Sequence, residues 1–268
     1  MSNTKGTALV TGASSGIGTV YADRLAKRGY NLILVARDEK RLSELAARVK
    51  SDTGQSVEIL AADLTSKADL AKVTKRLHDD AAITLLVNNA GVGANGPLAN
   101  TDLDLTDRLI DLNVIAVTHL ASAAAANFSA KKSGTIINVS SVLALAPEIA
   151  NAAYCASKGY VLNLSLTLDA ELADSGVRVQ AVLPGATRTE IWQRAGIDVS
   201  KYPPEMVMDV DPMVDAALAG LDLGELVTIP SLVEISDWDD LNSARRALRP
   251  KLSLSTPAPR YASARVSV

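Results

Sequence analysis

Residues 7–18 read TALVTGASSGIG, and they decide the fold. A short apolar, β-prone run ending in Thr11 passes straight into Gly12, and Gly16 and Gly18 follow. A helical pattern then runs to Arg28, with Gly29 as its stop. A strand that feeds a glycine turn and then a helix start is a dinucleotide cradle in physical terms. Glycines let the backbone approach a pyrophosphate closely, and the unpaired N–H groups and dipole of the helix start meet its charge. The spacing is Gly-x-x-x-Gly-x-Gly, not the commoner Gly-x-Gly-x-x-Gly. A tight turn without a ligand is the plainer alternative.

Outward from this unit, strand and helix patterns alternate. Strands are expected at 7–11, 31–36, 57–61, 84–87, 136–139, 177–183 and 226–229. Helices are expected at 39–50, from about Ser66, across 101–128 as one long helix, from Tyr154 to about Asp174, and at 211–221. That alternation predicts an α/β fold: a single doubly wound Rossmann-type domain with a seven-stranded, mainly parallel sheet and helices on both faces. The strand order should reverse beside 84–87, which places the ligand crevice at its carboxyl end.

A second stretch, residues 136–159, carries the chemistry: IINVSSVLALAPEIANAAYCASKG. An apolar strand delivers Ser140 and Ser141, and a helical stretch then sets Tyr154 and Lys158 four residues apart, on one helix face. A free tyrosine titrates near ~10, and a fixed ammonium beside it favours the phenolate. That combination predicts a lowered phenol pKa, suited to general acid–base work. A nearby serine hydroxyl can hydrogen-bond a carbonyl oxygen. The plainer alternative is an exposed helical pair.

With Ser141 thirteen residues before Tyr154 and the glycine turn at the start, the chain resembles the short-chain dehydrogenase/reductase family from about Thr7 to Ile229. The resemblance implies a catalytic set of Asn113, Ser141, Tyr154 and Lys158. It implies a cofactor site of Gly12, Ser14, Ser15, Gly16, Ile17 and Gly18, with Arg37, Asp63, Leu64, Asn89, Ala90 and Gly91. Tyr154, Lys158, Pro184, Gly185, Thr187 and Thr189 complete it. Asn113 would hold a water linked to Lys158, and Asn88 would tie strands together. Arg37 behind a non-acidic Ala36 fits the 2′-phosphate of NADP, with NAD as the second choice because Asp38 follows and Ser15 is not basic. Asp63 reads equally as a cap for the helix beginning near Ser66. Thr187 stands where the family more often has valine.

The 268 residues are 48% hydrophobic and 3% aromatic, with a net charge of −3. That supports a large aliphatic core and gives no electrostatic reason for nucleic-acid binding. Cys155 is the single cysteine, so no intrachain disulfide can form, and a cytoplasmic location is expected. No signal-peptide pattern and no apolar run of membrane-spanning length are expected. His119 lacks a nearby His, Cys or acidic ligand set and His78 falls in a charged, exposed turn, so no metal site is anticipated.

Residues 190–210 read as a mobile apolar cover over the substrate, within a domain spanning 1–230. Leu143, Glu148, Asn151, Ala186 and Trp192 are the expected substrate contacts. Residues 231–268 form an extension in which Trp238, Leu241, Ala244 and Leu248 recur at helical spacing. Arg245, Arg246, Arg249, Lys251, Arg260 and Arg265 make it basic, and Pro250, Pro257 and Pro259 make its end extended. It is expected to dock on a neighbouring subunit of a homodimer or homotetramer. The function implied is NADP-dependent, reversible reduction of a medium-sized apolar ketone or aldehyde. The alternatives are a 3-oxoacyl-thioester reductase with an acyl carrier protein partner and a non-catalytic dinucleotide-binding sensor.

Overall fold

The computed structural model describes residues 5–262. β1 (Thr7–Thr11), β2 (Asn31–Ala36), β3 (Val57–Ala61), β4 (Ile83–Asn88), β5 (Gly134–Val139), β6 (Val177–Val182) and β7 (Val227–Thr228) form one sheet. Their order is β3-β2-β1-β4-β5-β6-β7, and every pairing is parallel. The order reverses between β1 and β4, where the sequence pattern placed the crevice.

The strands are apolar on both sides because both sides are covered. Along β1, Ala8 and Val10 join one core cluster and Leu9 joins the other. On the first face lie α1 (Gly16–Lys27), α2 (Glu39–Thr53) and α8 (Val210–Leu223), with Tyr21, Leu25, Leu42 and Leu218 buried. On the second lie α3 (Lys67–Asp79), α5 (Val117–Lys131) and α6 (Ala152–Glu171), with Val73, Leu77, Leu120, Phe128 and Leu168 buried. Local signals set the ends. The Asp38 carboxylate accepts from the Arg41 N–H at 3.0 Å to start α2, and Gly54 ends it at φ +72. Ser66 caps α3, so the capping alternative for Asp63 falls away.

The expected single helix over 101–128 is instead α4 (Leu103–Ile110), a π-helical turn at Asp111–Ala116, and α5. Such turns gather at functional sites because the extra residue re-aims a side chain; here it carries Asn113. Leu103–Lys131 taken together is long and apolar enough to cross a bilayer, which corrects the expectation of no such run. Its apolarity serves the interior: Leu120, Ala121, Ala124 and Phe128 are core residues.

Residues from Ser231 onward form a separate unit. Its main helix, α9 (Ile235–Ala247), buries Trp238 and leaves Leu241 half exposed. A 3₁₀ turn at Arg249–Lys251 and the short α10 (Pro259–Ala262) interrupt the expected extended tail. Arg265 lies outside the described residues.

Candidate active site

The glycine turn is held against β4 by one hydroxyl. Thr11 Oγ1 donates to the Val87 carbonyl at 3.2 Å and accepts from the N–H groups of Asn89 and Ala90, both at 3.0 Å. Asn89 Nδ2 returns a hydrogen bond to the Thr11 carbonyl at 2.9 Å, so much of its side chain braces the cradle. A methyl on Gly12, at φ +66, would sit 2.8 Å from that nitrogen, and one on Gly18 would strike the Gly12 carbonyl. Ser15, extended ahead of α1, makes no side-chain cap, and Ile17 packs into the first core cluster. The cradle therefore presents bare backbone at a helix start, the shape a pyrophosphate requires.

Beyond β2, Arg37 Nη1 lies 3.9 Å from Asp63 Oδ2, and Arg108 Nη2 lies 3.3 Å from the same oxygen. Partial burial pushes the Asp63 carboxyl up, but hydrogen bonds from Thr65 and the two guanidiniums outweigh it and hold it below its ordinary value. Leu64 is buried in the second core cluster. Arg108 has no place in any short motif, and sequence reasoning missed it.

The four catalytic candidates come from three elements. Ser141 caps the turn after β5, its Oγ accepting from the Leu143 N–H at 3.2 Å. Tyr154 and Lys158 lie in the first two turns of α6. Lys158 is buried and donates from Nζ to the Val139 carbonyl at 3.0 Å, while Ser140 Oγ donates to the Lys158 carbonyl at 2.7 Å. Asn113 is buried as well; Nδ2 donates to the Val92 carbonyl at 3.0 Å and to Ser157 Oγ at 3.1 Å. Gly91 runs between them: a methyl there would be 3.2 Å from Asn113 Oδ1 and 3.7 Å from Lys158 Nζ.

The electrostatics correct one expectation. Lys158 Nζ stands 5.7 Å from the centre of the Tyr154 ring, yet the phenol is pushed up to about 12. Desolvation dominates, with the Ser141 hydroxyl opposing it as a hydrogen-bond partner. The same desolvation brings Lys158 down to about 8. The lysine thus loses its proton before the phenol ionises, and no ammonium is left to favour the phenolate. At neutral pH the site is a protonated phenol beside a readily discharged amine.

Asn151 was expected to face the substrate. Instead it is buried as the N-cap of α6: Oδ1 accepts from the Tyr154 N–H at 3.1 Å, and Nδ2 donates to the Gly96 carbonyl at 2.8 Å. Both polar atoms of the side chain serve the structure, which turns it into a positioning residue for Tyr154. Glu148 is exposed, whereas Leu143 and Ala186 are partly buried. Pro184 accepts from Ser141 Oγ at 3.5 Å, and Thr187 Oγ1 donates to the Gly185 carbonyl at 3.1 Å.

The cover over 190–210 contains α7 (Ile191–Arg194) and two 3₁₀ turns. Trp192 Nε1 donates to the Thr187 carbonyl at 2.7 Å, and its ring meets Tyr202 with centroids 5.3 Å apart. Ile191 and Ala195 lie against Gly93, and Thr189 against Gly16. A cleft of about 800 Å³ lies here with a mixed lining: Trp192, Ile197 and Val199 are apolar, whereas Arg188, Glu190 and Asp198 are charged. Glycine loop and cover thus border one cleft at Gly16 and Thr189.

The profile of the family described as short chain dehydrogenase matches residues 6–199. A solved short-chain dehydrogenase from Sphingobium yanoikuyae, in complex with NADPH, is 51% identical; the match covers 96% of this chain and 99% of that one, with a TM-score of 0.93. A bulky-bulky ketone specific alcohol dehydrogenase from Comamonas testosteroni is 45% identical, over 96% of this chain and 98% of that one, with a TM-score of 0.88. The very-long-chain 3-oxoacyl-CoA reductase of Anas platyrhynchos is 31% identical across 74% of this chain and 65% of that protein.

Proposed function

The chain belongs to the short-chain dehydrogenase family, and from that premise we propose that it is an NADPH-dependent carbonyl reductase, reversible as an alcohol dehydrogenase, for ketones with two sizeable apolar substituents. The observation that carries this is the convergence of four side chains: Asn113 and Lys158 meet at Gly91, Lys158 Nζ lies 5.7 Å from the centre of the Tyr154 ring, and the Ser141 hydroxyl is a hydrogen-bond partner of the phenol. The Sphingobium and Comamonas likenesses support the cofactor and the ketone class.

Gly12, Ser14, Ser15, Gly16 and Gly18 would hold the pyrophosphate of the cofactor, Arg37 its 2′-phosphate, and Asp63 and Leu64 its adenine. Ala90, Gly91, Pro184, Gly185, Thr187 and Thr189 would line the nicotinamide half. When bound, the cofactor supplies the hydride; the protein positions and polarises. Ser141 Oγ hydrogen-bonds the carbonyl oxygen where charge develops. Tyr154, fully protonated at neutral pH, donates its phenolic proton to that oxygen. Lys158 would hold the nicotinamide ribose and return a proton to the Tyr154 phenolate from the Asn113 side of the site. Trp192, Leu143 and Ala186 form apolar walls, and Glu148 sits at the rim.

The reading also places the protein in the cytoplasm as a homodimer or homotetramer, with the unit from Ser231 onward docking on a neighbour. Light scattering on the full chain and on a chain truncated after Ser231 tests the assembly. A spectrophotometric screen of diaryl, alkyl-aryl and aliphatic ketones, sugars and a 3-oxoacyl thioester, with NADPH and NADH, tests the activity. Best turnover on a sugar phosphate or compact dicarboxylate would refute the apolar assignment; best turnover on the thioester would favour the 3-oxoacyl alternative.

A further inference from the structure

Arg41 lies in the first turn of α2, with its backbone N–H already capped by Asp38. Its guanidinium reaches across the mouth of the glycine loop, and Nη1 meets both carboxylate oxygens of Glu190 at 2.9 Å. The same carboxylate accepts from Arg194 Nη2 at 2.6 Å, and that nitrogen lies 3.5 Å from Ser15 Oγ. Arg41, Glu190, Ser14, Ser15 and Gly16 line one cleft of roughly 540 Å³.

This contact is a poor brace. Arg41 and Glu190 keep 44% and 43% of their side-chain surface exposed, where ion pairs contribute little to stability. The segments they join have other anchors: α2 packs into the core, and Thr187 bridges to Met208. Meanwhile Glu190 sets a negative charge beside the loop whose bare N–H groups are shaped for an anion. Arg41 first, and Arg194 with it, keeps that carboxyl below its ordinary value, so it is charged throughout the neutral range.

We propose that Arg41 is a second ligand for the cofactor's 2′-phosphate, beside Arg37, and that Glu190 holds it in reserve until the phosphate displaces the carboxylate. The proposal rests on the NADP assignment above. Binding then exchanges one anion for another at Nη1, while Nε keeps the Asp38 carboxylate 3.5 Å away. A phosphate monoester carries nearly twice the charge of a carboxylate and offers three acceptor oxygens to the guanidinium fork, so the exchange runs toward the phosphate. Arg41 becomes a determinant of cofactor choice, and Glu190 a brake on it.

Calorimetric titration of 2′,5′-ADP and 5′-AMP into the full chain tests this without any turnover, using wild type, Arg41→Ala, Glu190→Gln and the double variant. Wild type should prefer 2′,5′-ADP, and Arg41→Ala should weaken that ligand about tenfold while leaving 5′-AMP within about twofold. Glu190→Gln should tighten 2′,5′-ADP by about three- to tenfold, and the gain should vanish in the double variant. An Arg41→Ala effect under about twofold, or a Glu190→Gln gain that persists without Arg41, overturns the exchange while the NADP assignment stands. A wild type that binds both ligands equally overturns the assignment and the exchange together.

Discussion

Asn113 and Val92 exchange a reciprocal pair of hydrogen bonds: the Val92 N–H donates to Asn113 Oδ1, and Asn113 Nδ2 donates to the Val92 carbonyl, both at 3.0 Å. One side chain stands in for a strand neighbour and pins the loop after β4 to the π-helical turn. Because Nδ2 also reaches Ser157 Oγ, the loop, the turn and the helix carrying Lys158 meet at one buried node.

Asn113→Ala strips two backbone groups of their partner. It should cost about 1–3 kcal/mol of stability. In kinetics kcat should fall well beyond any change in KM, since Lys158 and Gly91 lose their shared support. Denaturant melts and steady-state rates on one good ketone check both. An unchanged kcat with a normal melt would remove Asn113 from the site.

Lys158 is stabilising for function and costly for folding. Its pKa of about 8 in the folded chain lies below the ordinary lysine value of 10.5, so between those values the unfolded chain holds the extra proton. Its contribution to stability therefore rises as pH climbs from about 8, and the buried ammonium is a burden below it. Lys158→Met should be inactive yet more stable at pH 7, by up to about 3 kcal/mol, with the advantage shrinking toward pH 10. Paired melts at several pH values would expose a flat difference, which contradicts the burial argument.

The rates should follow the same two groups. The Tyr154 phenol stays protonated to about 12, so it does not limit ketone reduction near neutrality. Reduction should hold a plateau below about pH 8 and decline above it as the Lys158 ammonium is lost. Alcohol oxidation, which needs the Tyr154 phenolate to accept the alcohol's proton, should rise over that range as the phenolate fraction grows. A kcat/KM profile for reduction that climbs through pH 9 is the contrary outcome.

Arg37 is 59% exposed in its side chain and stands 3.9 Å from Asp63, free to turn toward a phosphate. Arg37→Ala should reduce the preference for NADPH over NADH by about ten- to a hundredfold, or about 1.4–3 kcal/mol. Fluorescence titration of both cofactors into wild type and variant measures it. Equal wild-type affinities would sink the assignment.

Much of this was legible before any coordinates. Thr11 to Gly18 declared strand, turn and helix because glycine spacing and apolar run are local properties, and the parallel order follows from right-handed crossovers. Tyr154 and Lys158 were readable because four residues on a helix make neighbours. What escaped was non-local. Arg108 meets Asp63 across 45 residues, and Arg41 meets Glu190 across 149. The π-helical turn also escaped, since Leu112 to Ala116 carries an ordinary apolar helical pattern, while the partners of Asn113, Val92 and Ser157, lie far off in the chain. Asn151 misled for a related reason: an asparagine before a helix is a cap signal, but its position beside Tyr154 made it look like a substrate contact.

The central claim is that Tyr154 delivers the proton, and Tyr154→Phe tests it most directly. The substitution removes the phenolic oxygen and leaves the ring to pack beside Lys158 and Ser141. With NADPH and the best ketone from the screen, kcat should fall by about a hundredfold or more, while NADPH binding followed by fluorescence stays within about twofold. Turnover by the Phe variant comparable to wild type, with cofactor bound normally, would contradict the account.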